Sequence, residues 1–111
     1  MILRLAHVEV AVDDLDAAHG FYVGLLGFVE HSRDGGRLLL RGCEELDCWS
    51  LSLVERGGPG LTHSAYRVAV RADLDELEAL HARLGLATER LPAGHEPGHG
   101  PLLRVATPDG H

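Results

Sequence analysis

The sequence has few aromatic residues, only two cysteines and no long apolar run. Aromatic residues make up 5% of the 111 residues, and Cys43 and Cys48 are the only cysteines. No stretch approaches the roughly 20 apolar residues needed to cross a bilayer, and residues 1–4 lead into a strand pattern instead of a signal peptide. We therefore expect a cytoplasmic protein with no membrane partner, whose two thiols are free or pair with each other.

Positive charge is also scarce. Ten Lys and Arg residues stand against 17 Asp and Glu residues, which gives a formal net charge of −7 with histidine neutral. Nucleic-acid binding needs clustered Lys and Arg to neutralise phosphates, so we expect no nucleic-acid partner. A hydrophobic content of 45% and a charged content of 24% are ordinary for a globular protein. This length is enough for one domain with its own core, and we predict a single domain over residues 1–111.

Two histidines, His7 and His63, occupy the same place in two copies of one pattern. Each lies in an apolar strand-like stretch, which is followed by Asp-Leu-Asp and by a helical stretch that stops at a glycine. A repeat of this length indicates two copies of one supersecondary unit. The sequence thus predicts a first module of about residues 1–56 and a second of about residues 61–111, joined by a Gly/Pro linker.

Hydrophobic periodicity predicts the elements of each module. The first reads βαβββ, with strands at 5–12, 28–33, 37–41 and 48–55 and a helix capped by Asp13 or Asp14 that stops at Gly27. The second reads βαββ, with strands at 62–70, 87–91 and 102–106 and a helix at 73–84. By the logic of the repeat, one more strand would follow the turn at 107–110.

The alternation of side chains predicts which faces are buried. In the first strand, the valines would pack on the helix, while His7, Glu9 and Ala11 would lie on the opposite face. The helix carries an apolar stripe, predicted to enter the core: Leu15, Ala18, Phe21, Tyr22, Leu25 and Leu26. Tyr66 is also assigned to the core by parity. Trp49 is expected in the core or a dimer interface, with ligand stacking as the alternative.

If the sheet faces curve into one concavity, His7 and His63 can converge on a metal. Imidazole suits iron, zinc, nickel and copper, and two histidines with one carboxylate form the iron site of non-haem Fe(II) oxygenases. Glu9 is a candidate third ligand, although it lies only two residues from His7. The alternative is a solvated sheet face whose polar residues need no function. A ligand cavity would add four residues to Glu9: Cys48, Ser50, Ser52 and Arg67.

The loop at 92–101 offers two further histidines, His95 and His99, four residues apart. They would complete the metal site, cover the cavity as a lid, or remain solvated residues of a mobile loop. The Gly/Pro composition of this loop favours the solvated reading.

Several segments of the chain resemble the vicinal oxygen chelate superfamily. The segments are Leu5-x-His7-Val8, Asp14-Leu15, Phe21-Tyr22, Leu26-Gly27-Phe28, Leu61-Thr62-His63 and Pro108-Asp109-Gly110. This superfamily includes glyoxalase I, bleomycin-resistance proteins and extradiol dioxygenases, and the chain looks most similar to the amino-terminal half of catechol-type extradiol dioxygenases. The resemblance covers nearly the whole chain. It implies an α+β fold in which paired βαβββ modules form a cup-shaped curved sheet with helices outside, and we expect a homodimer.

The resemblance also implies a function. His7 and His63 match the first two metal-ligand positions of extradiol dioxygenases, which cleave the ring of a small aromatic catechol with Fe(II), or another divalent metal, and O₂. The third ligand, a glutamate, would follow Pro108-Asp109-Gly110 and is not in the sequence. Two alternatives stay open: a metal-free protein that binds a small molecule, as antibiotic-binding relatives do, and a non-catalytic amino-terminal dioxygenase domain.

Overall fold

The structure is a computed structural model that describes all residues from Met1 to His111. Its strands and α-helices follow the order β1 (Ile2–Val12), α1 (Leu15–His19), β2 (Val29–Asp34), β3 (Arg37–Arg41), β4 (Leu51–Glu55), β5 (Gly60–Val68), α2 (Ala72–Arg83), β6 (Thr88–Leu91) and β7 (Leu102–Val105). A π-helical segment, Gly20–Leu25, follows α1 directly. The predicted α+β class and the order βαβββ–βαββ are confirmed. Neither α-helix has the length and apolar character that a membrane crossing requires.

The chain divides into two compact units. The first unit is Leu5–Tyr66, and the second unit combines Met1–Arg4 with Arg67–His111. Strands β1 to β5 form one sheet in the order β2-β3-β4-β1-β5, while β6 and β7 form a separate antiparallel pair. In the larger sheet β4 runs parallel to β1 and antiparallel to β3. No strand follows β7, so the second repeat has no counterpart of β4 among these residues.

Leucines on one face of the larger sheet form the core of the first unit. The buried cluster is Leu15, Leu38, Leu40, Leu51 and Leu53, and partly buried Val8, Val10, Val12, Ala18, Tyr22, Val23 and Phe28 pack against it. Alternate residues of β1, β3 and β4 thus point toward α1, as the predicted alternation requires. Full burial of each leucine side chain stabilises the unit by about 1.5–3 kcal/mol.

Helix α1 begins as predicted but does not continue as a regular α-helix. The Asp14 carboxylate accepts the backbone N–H groups of Asp16 and Ala17, which is the expected cap. From Gly20 onward the turn widens, and the N–H of Leu26 donates to the carbonyl of Phe21, five residues back.

The predicted apolar stripe is therefore only half right. Leu15, Ala18 and Tyr22 lie in or against the core. Phe21, Leu25 and Leu26 are exposed, with Leu25 at 73%. A π turn holds more residues than the 3.6 of an α-helix, so positions spaced for an α-helical stripe rotate away from the core face.

Other predictions need smaller corrections. β1 begins earlier than predicted, at Ile2, and β4 begins at Leu51 instead of residue 48. The prediction that Tyr66 lies in the core is wrong, because its side chain is 59% exposed. Parity in a strand assigns a side chain to a face, but it does not determine whether that end of the face is covered. Both cysteines are exposed and their thiols are free, which is the first of the two alternatives expected from the sequence.

The polar face of β1 is buried. His7, Glu9 and Ala11 are 3%, 2% and 5% exposed, whereas the valines between them are only partly buried. The alternative of a solvated face is therefore wrong for these residues. Buried polar groups need partners, and those of His7 and Glu9 define the candidate site.

Ion pairs connect the elements of the second unit. Arg90 on β6 pairs with Glu78 on α2, Nε to Oε2 at 2.9 Å, and with Asp75. These two carboxylates, Glu78 first, raise the pKa of Arg90. The carboxylate of Asp73, at the start of α2, accepts a hydrogen bond from the amino-terminal ammonium at 2.8 Å. This hydrogen bond and a second one from the backbone N–H of Val70 lower the pKa of Asp73.

Candidate metal centre

The histidines of the repeat meet in the first unit. His7 lies on β1 and His63 on β5, which are neighbours in the larger sheet. Their Nε2 atoms are 3.1 Å apart, and the ring planes are nearly perpendicular at 83°. His7 is buried, while the His63 side chain is 35% exposed. The pair therefore presents two ring nitrogens at one point, which solvent can reach from the His63 side.

A distance of 3.1 Å between two ring nitrogens has two chemical readings. Without a metal, one neutral imidazole donates its Nε2–H to the lone pair of the other. With a metal, both lone pairs point at one ion. For a nitrogen–metal bond of about 2.1 Å, two ligands at a right angle are about 3.0 Å apart and two in a tetrahedron about 3.4 Å apart. The observed separation lies between these values, so the pair fits as two neighbouring ligands.

Trp49 packs against the buried histidine. Its ring centroid lies 4.5 Å from that of His7, at an interplanar angle of 47°, and its side chain is 1% exposed. Trp49 is thus a core residue, which is one of the positions that the sequence predicts for it. By filling the space beside the imidazole, the indole restricts the ring orientations of His7 and keeps water from that side.

Glu9 lies beside the histidine pair, and both oxygens of its carboxylate already contact other side chains. Its Oε2 contacts Arg37 Nη2 at 3.0 Å and accepts the Ser52 hydroxyl at 3.1 Å, while Oε1 accepts the Thr62 hydroxyl at 3.0 Å. The β1–β4 register explains one contact, because Glu9 and Ser52 are direct cross-strand partners. Oε1 is also 3.9 Å from Nδ1 of His63. A carboxylate held this way adds negative charge near the pair, but to serve as a ligand it would have to leave these partners.

The other predicted cavity residues do not all lie here. Cys48 is exposed, because it precedes β4 and the parity of that strand does not extend to it. The Ser50 hydroxyl donates to Glu45 at 2.6 Å and stabilises the 42–50 loop. Arg67 is exposed and belongs to the second unit. Of the predicted cavity, Glu9 and Ser52 are together in the first unit.

The sequence carries no signal for the Glu9 contacts of Arg37 and Thr62 or for the burial of Glu96. Arg37 and Thr62 complete the Glu9 contacts, and only the strand order brings them to β1. Glu96, in the Gly/Pro loop of the second unit, is 7% exposed. The adjacent His95 is exposed and lies 3.2 Å from Arg104, which agrees with a solvated residue. A loop has no periodicity, so the sequence holds no signal for the burial of Glu96.

Comparison with known proteins identifies relatives. Residues 61–111 match the family described as "Catechol 2,3-dioxygenase-like N-terminal domain". The metapyrocatechase of Pseudomonas sp. (strain CF600) is 34% identical over 111 residues, which is 99% of this chain and 36% of that protein. The manganese-dependent 2,3-dihydroxybiphenyl 1,2-dioxygenase of Geobacillus genomosp. 3 is 25% identical over 99% of this chain and 35% of that protein.

Solved structures agree with these matches. An extradiol ring-cleaving dioxygenase from B. fuscum is 38% identical and superposes with a TM-score of 0.90 over 98% of this chain and 30% of that one. The homoprotocatechuate 2,3-dioxygenase of Brevibacterium fuscum, in complex with 3,4-dihydroxyphenylacetate, gives the same identity and TM-score over 34% of its length.

The chain spans about a third of the length of the relatives it matches. Its similarity nevertheless extends over nearly all of its own residues, and the matching family is an amino-terminal domain. These findings confirm the resemblance seen in the sequence: the chain is similar to the amino-terminal domain of the extradiol dioxygenases.

Proposed function

We propose that this protein takes part in the extradiol cleavage of a catechol-type aromatic ring, with a divalent metal held by His7 and His63. The observation that carries the proposal is the 3.1 Å separation of the two Nε2 atoms on neighbouring strands. The relatives named above support the reaction class, because each is a dioxygenase of this kind. We further propose a cytoplasmic homodimer.

Fe(II) is the metal proposed, with Mn(II) as the second choice because one relative is manganese-dependent. A bound ion would supply Lewis-acid polarisation of the catechol oxygens and orientation of the substrate. His7 and His63 would bind it through Nε2. Trp49 would hold the His7 ring and exclude water behind it, and Glu9 would contribute negative charge from beside His63.

The remaining ligand of a two-histidine, one-carboxylate site is not Glu9 in this proposal. Arg37, Ser52 and Thr62 already occupy the Glu9 carboxylate, and breaking a buried ion pair is costly. We propose that a strand beyond residue 111, or a partner chain, brings the third carboxylate.

Metal loading tests this proposal. The protein is incubated anaerobically with Fe(II) or Mn(II), desalted, and examined by elemental analysis together with His7→Ala and His63→Ala. His19→Ala is the matched control, because His19 is a histidine outside the pair that contacts Glu30. We expect metal in the wild type and the control, and loss in the other two variants. A wild type that retains no metal would refute the metal-binding role.

Ring cleavage is measured in the same samples from the absorbance of the ring-opened product after addition of catechol and O₂. Product from the wild type, with none from His63→Ala, supports catalysis by this chain. Metal binding without product indicates that the third ligand must be added, which a longer chain or a mixture with a carboxy-terminal dioxygenase domain would test.

A second candidate is a non-catalytic amino-terminal dioxygenase domain. The observation that favours it is that the matching family is an amino-terminal domain and that the chain spans about a third of its relatives. This function predicts no bound metal and no cleavage. The remaining alternative is a metal-free protein that binds small aromatic molecules. Calorimetric titration of the metal-free protein with catechol distinguishes the two functions, because only the binding protein would bind catechol.

A further inference from the structure

The Glu9 carboxylate lies beside one ring nitrogen of His63, while His7 lies beside the other. Glu9 Oε1 is 3.9 Å from Nδ1 of His63, and Nε2 of His63 is 3.1 Å from Nε2 of His7. His63 is therefore placed between a negative charge and a second imidazole. These two neighbours act on the position of its proton.

Only one proton can lie between the two Nε2 atoms of the histidine pair. If both rings are neutral, one Nε2 carries hydrogen and the other offers a lone pair. A carboxylate near Nδ1 of His63 favours an N–H group on that nitrogen, because the N–H dipole then points toward the negative charge. A distance of 3.9 Å is too long for a direct hydrogen bond, so the carboxylate acts through its charge or through one water molecule.

From this geometry we infer that Glu9 is a positioning residue, which holds His63 in the tautomer protonated at Nδ1 so that its Nε2 lone pair faces His7. His7 then donates its Nε2–H to His63 in the metal-free protein. A metal bound by both Nε2 atoms would require the neutral His7 ring to carry its proton on Nδ1, with one proton released from Nε2 to solvent and one taken up at Nδ1. The metal-binding part of this inference rests on the proposed function; the tautomer does not.

The surroundings of Glu9 suit such a role. The carboxylate is 2% exposed, and Arg37, Ser52 and Thr62 all contact it from side chains on β3, β4 and β5. A negative charge with three partners on three strands has a fixed position. Carboxylates beside ligand histidines commonly change metal affinity by 10–100-fold when they are removed.

The test is nitrogen NMR of the histidine rings in the metal-free protein. The spectrum is recorded in alkaline buffer, where the ring nitrogen signals themselves show that both rings are neutral. We expect the wild-type signals of His63 to show protonated Nδ1 and unprotonated Nε2. In Glu9→Gln, which keeps the side-chain shape and removes the charge, the Nε2-protonated form should increase.

Glu30→Gln is the matched control, since Glu30 is a carboxylate 3.3 Å from a different histidine, His19. It should leave the His63 signals unchanged. Protonated Nε2 on His63 in the wild type would overturn the inference without any variant, even if Glu9→Gln failed to fold. Unchanged tautomer populations in a folded Glu9→Gln would overturn it equally.

Titration with Co(II), followed by its visible absorption, provides the second measurement. Affinity should fall about 10–100-fold in Glu9→Gln and stay unchanged in Glu30→Gln. Equal affinities in the wild type and Glu9→Gln would contradict the role in metal binding. If the wild type binds no metal but shows the expected tautomer, the proposed function fails while the assignment of the proton stands.

Discussion

Removal of Arg37 should destabilise the protein more than neutralisation of its partner Glu9. Arg37→Met keeps most of the apolar stem and removes the guanidinium that lies 3.0 Å from the carboxylate. Glu9 is 2% exposed and cannot reach water, so its charge stays buried without this cation. Glu9→Gln instead leaves the guanidinium on a side chain that is 34% exposed and can turn to solvent.

The magnitudes follow from this asymmetry. Breaking a buried pair by removing one partner costs about 3–5 kcal/mol, and because Arg37 is a third exposed we take about 3 kcal/mol for Arg37→Met. For Glu9→Gln we expect about 1–2 kcal/mol, since the amide still has hydroxyl partners in Ser52 and Thr62. The total stability of a domain of this size is about 5–15 kcal/mol, so both variants should fold.

Urea unfolding followed by circular dichroism measures the difference. With a slope of about 1.5 kcal/mol per M, a loss of 3 kcal/mol lowers the midpoint by about 2 M. The double variant Arg37→Met with Glu9→Gln should be more stable than Arg37→Met alone, because the second substitution removes the stranded charge. Equal losses in the two single variants, or additive losses in the double variant, would refute this reasoning.

Three further predictions concern stability. Leu53→Ala should cost about 2–5 kcal/mol because this side chain is fully buried, whereas Leu46→Ala at an exposed site should stay within about 0.5 kcal/mol in the same urea experiment. Asp14→Ala should cost about 1 kcal/mol by removing the cap of α1, and the neighbouring Asp13→Ala should not. Asp73, whose pKa is lowered chiefly by the amino-terminal ammonium, contributes stability above its ordinary pKa of 3.8 and loses it as pH falls through the lower folded pKa. The stability difference between wild type and Asp73→Asn should therefore narrow with acidification, and a difference that is constant from pH 7 into the acid range would contradict this.

Local patterns made much of the fold predictable. The strand of alternating valines in β1, the cap at Asp14 and the Asp-Gly-Gly turn before β3 each depend on a few neighbouring residues. The exact bounds of β3 were predicted from this turn. The π-helical segment was not predictable, because the sequence from Gly20 to Leu25 reads equally well as a regular α-helix.

The candidate site likewise has one part that the sequence predicts and another that depends on the tertiary structure. The sequence by itself determined that His7 and His63 occupy equivalent strand positions, since a repeat places equivalent residues at equivalent points. Only the tertiary structure decided that the two rings lie 3.1 Å apart, that Trp49 contacts one of them and that Glu9 pairs with Arg37. These contacts join strands distant along the chain. Strand order and register set them, and no local pattern of residues encodes either one.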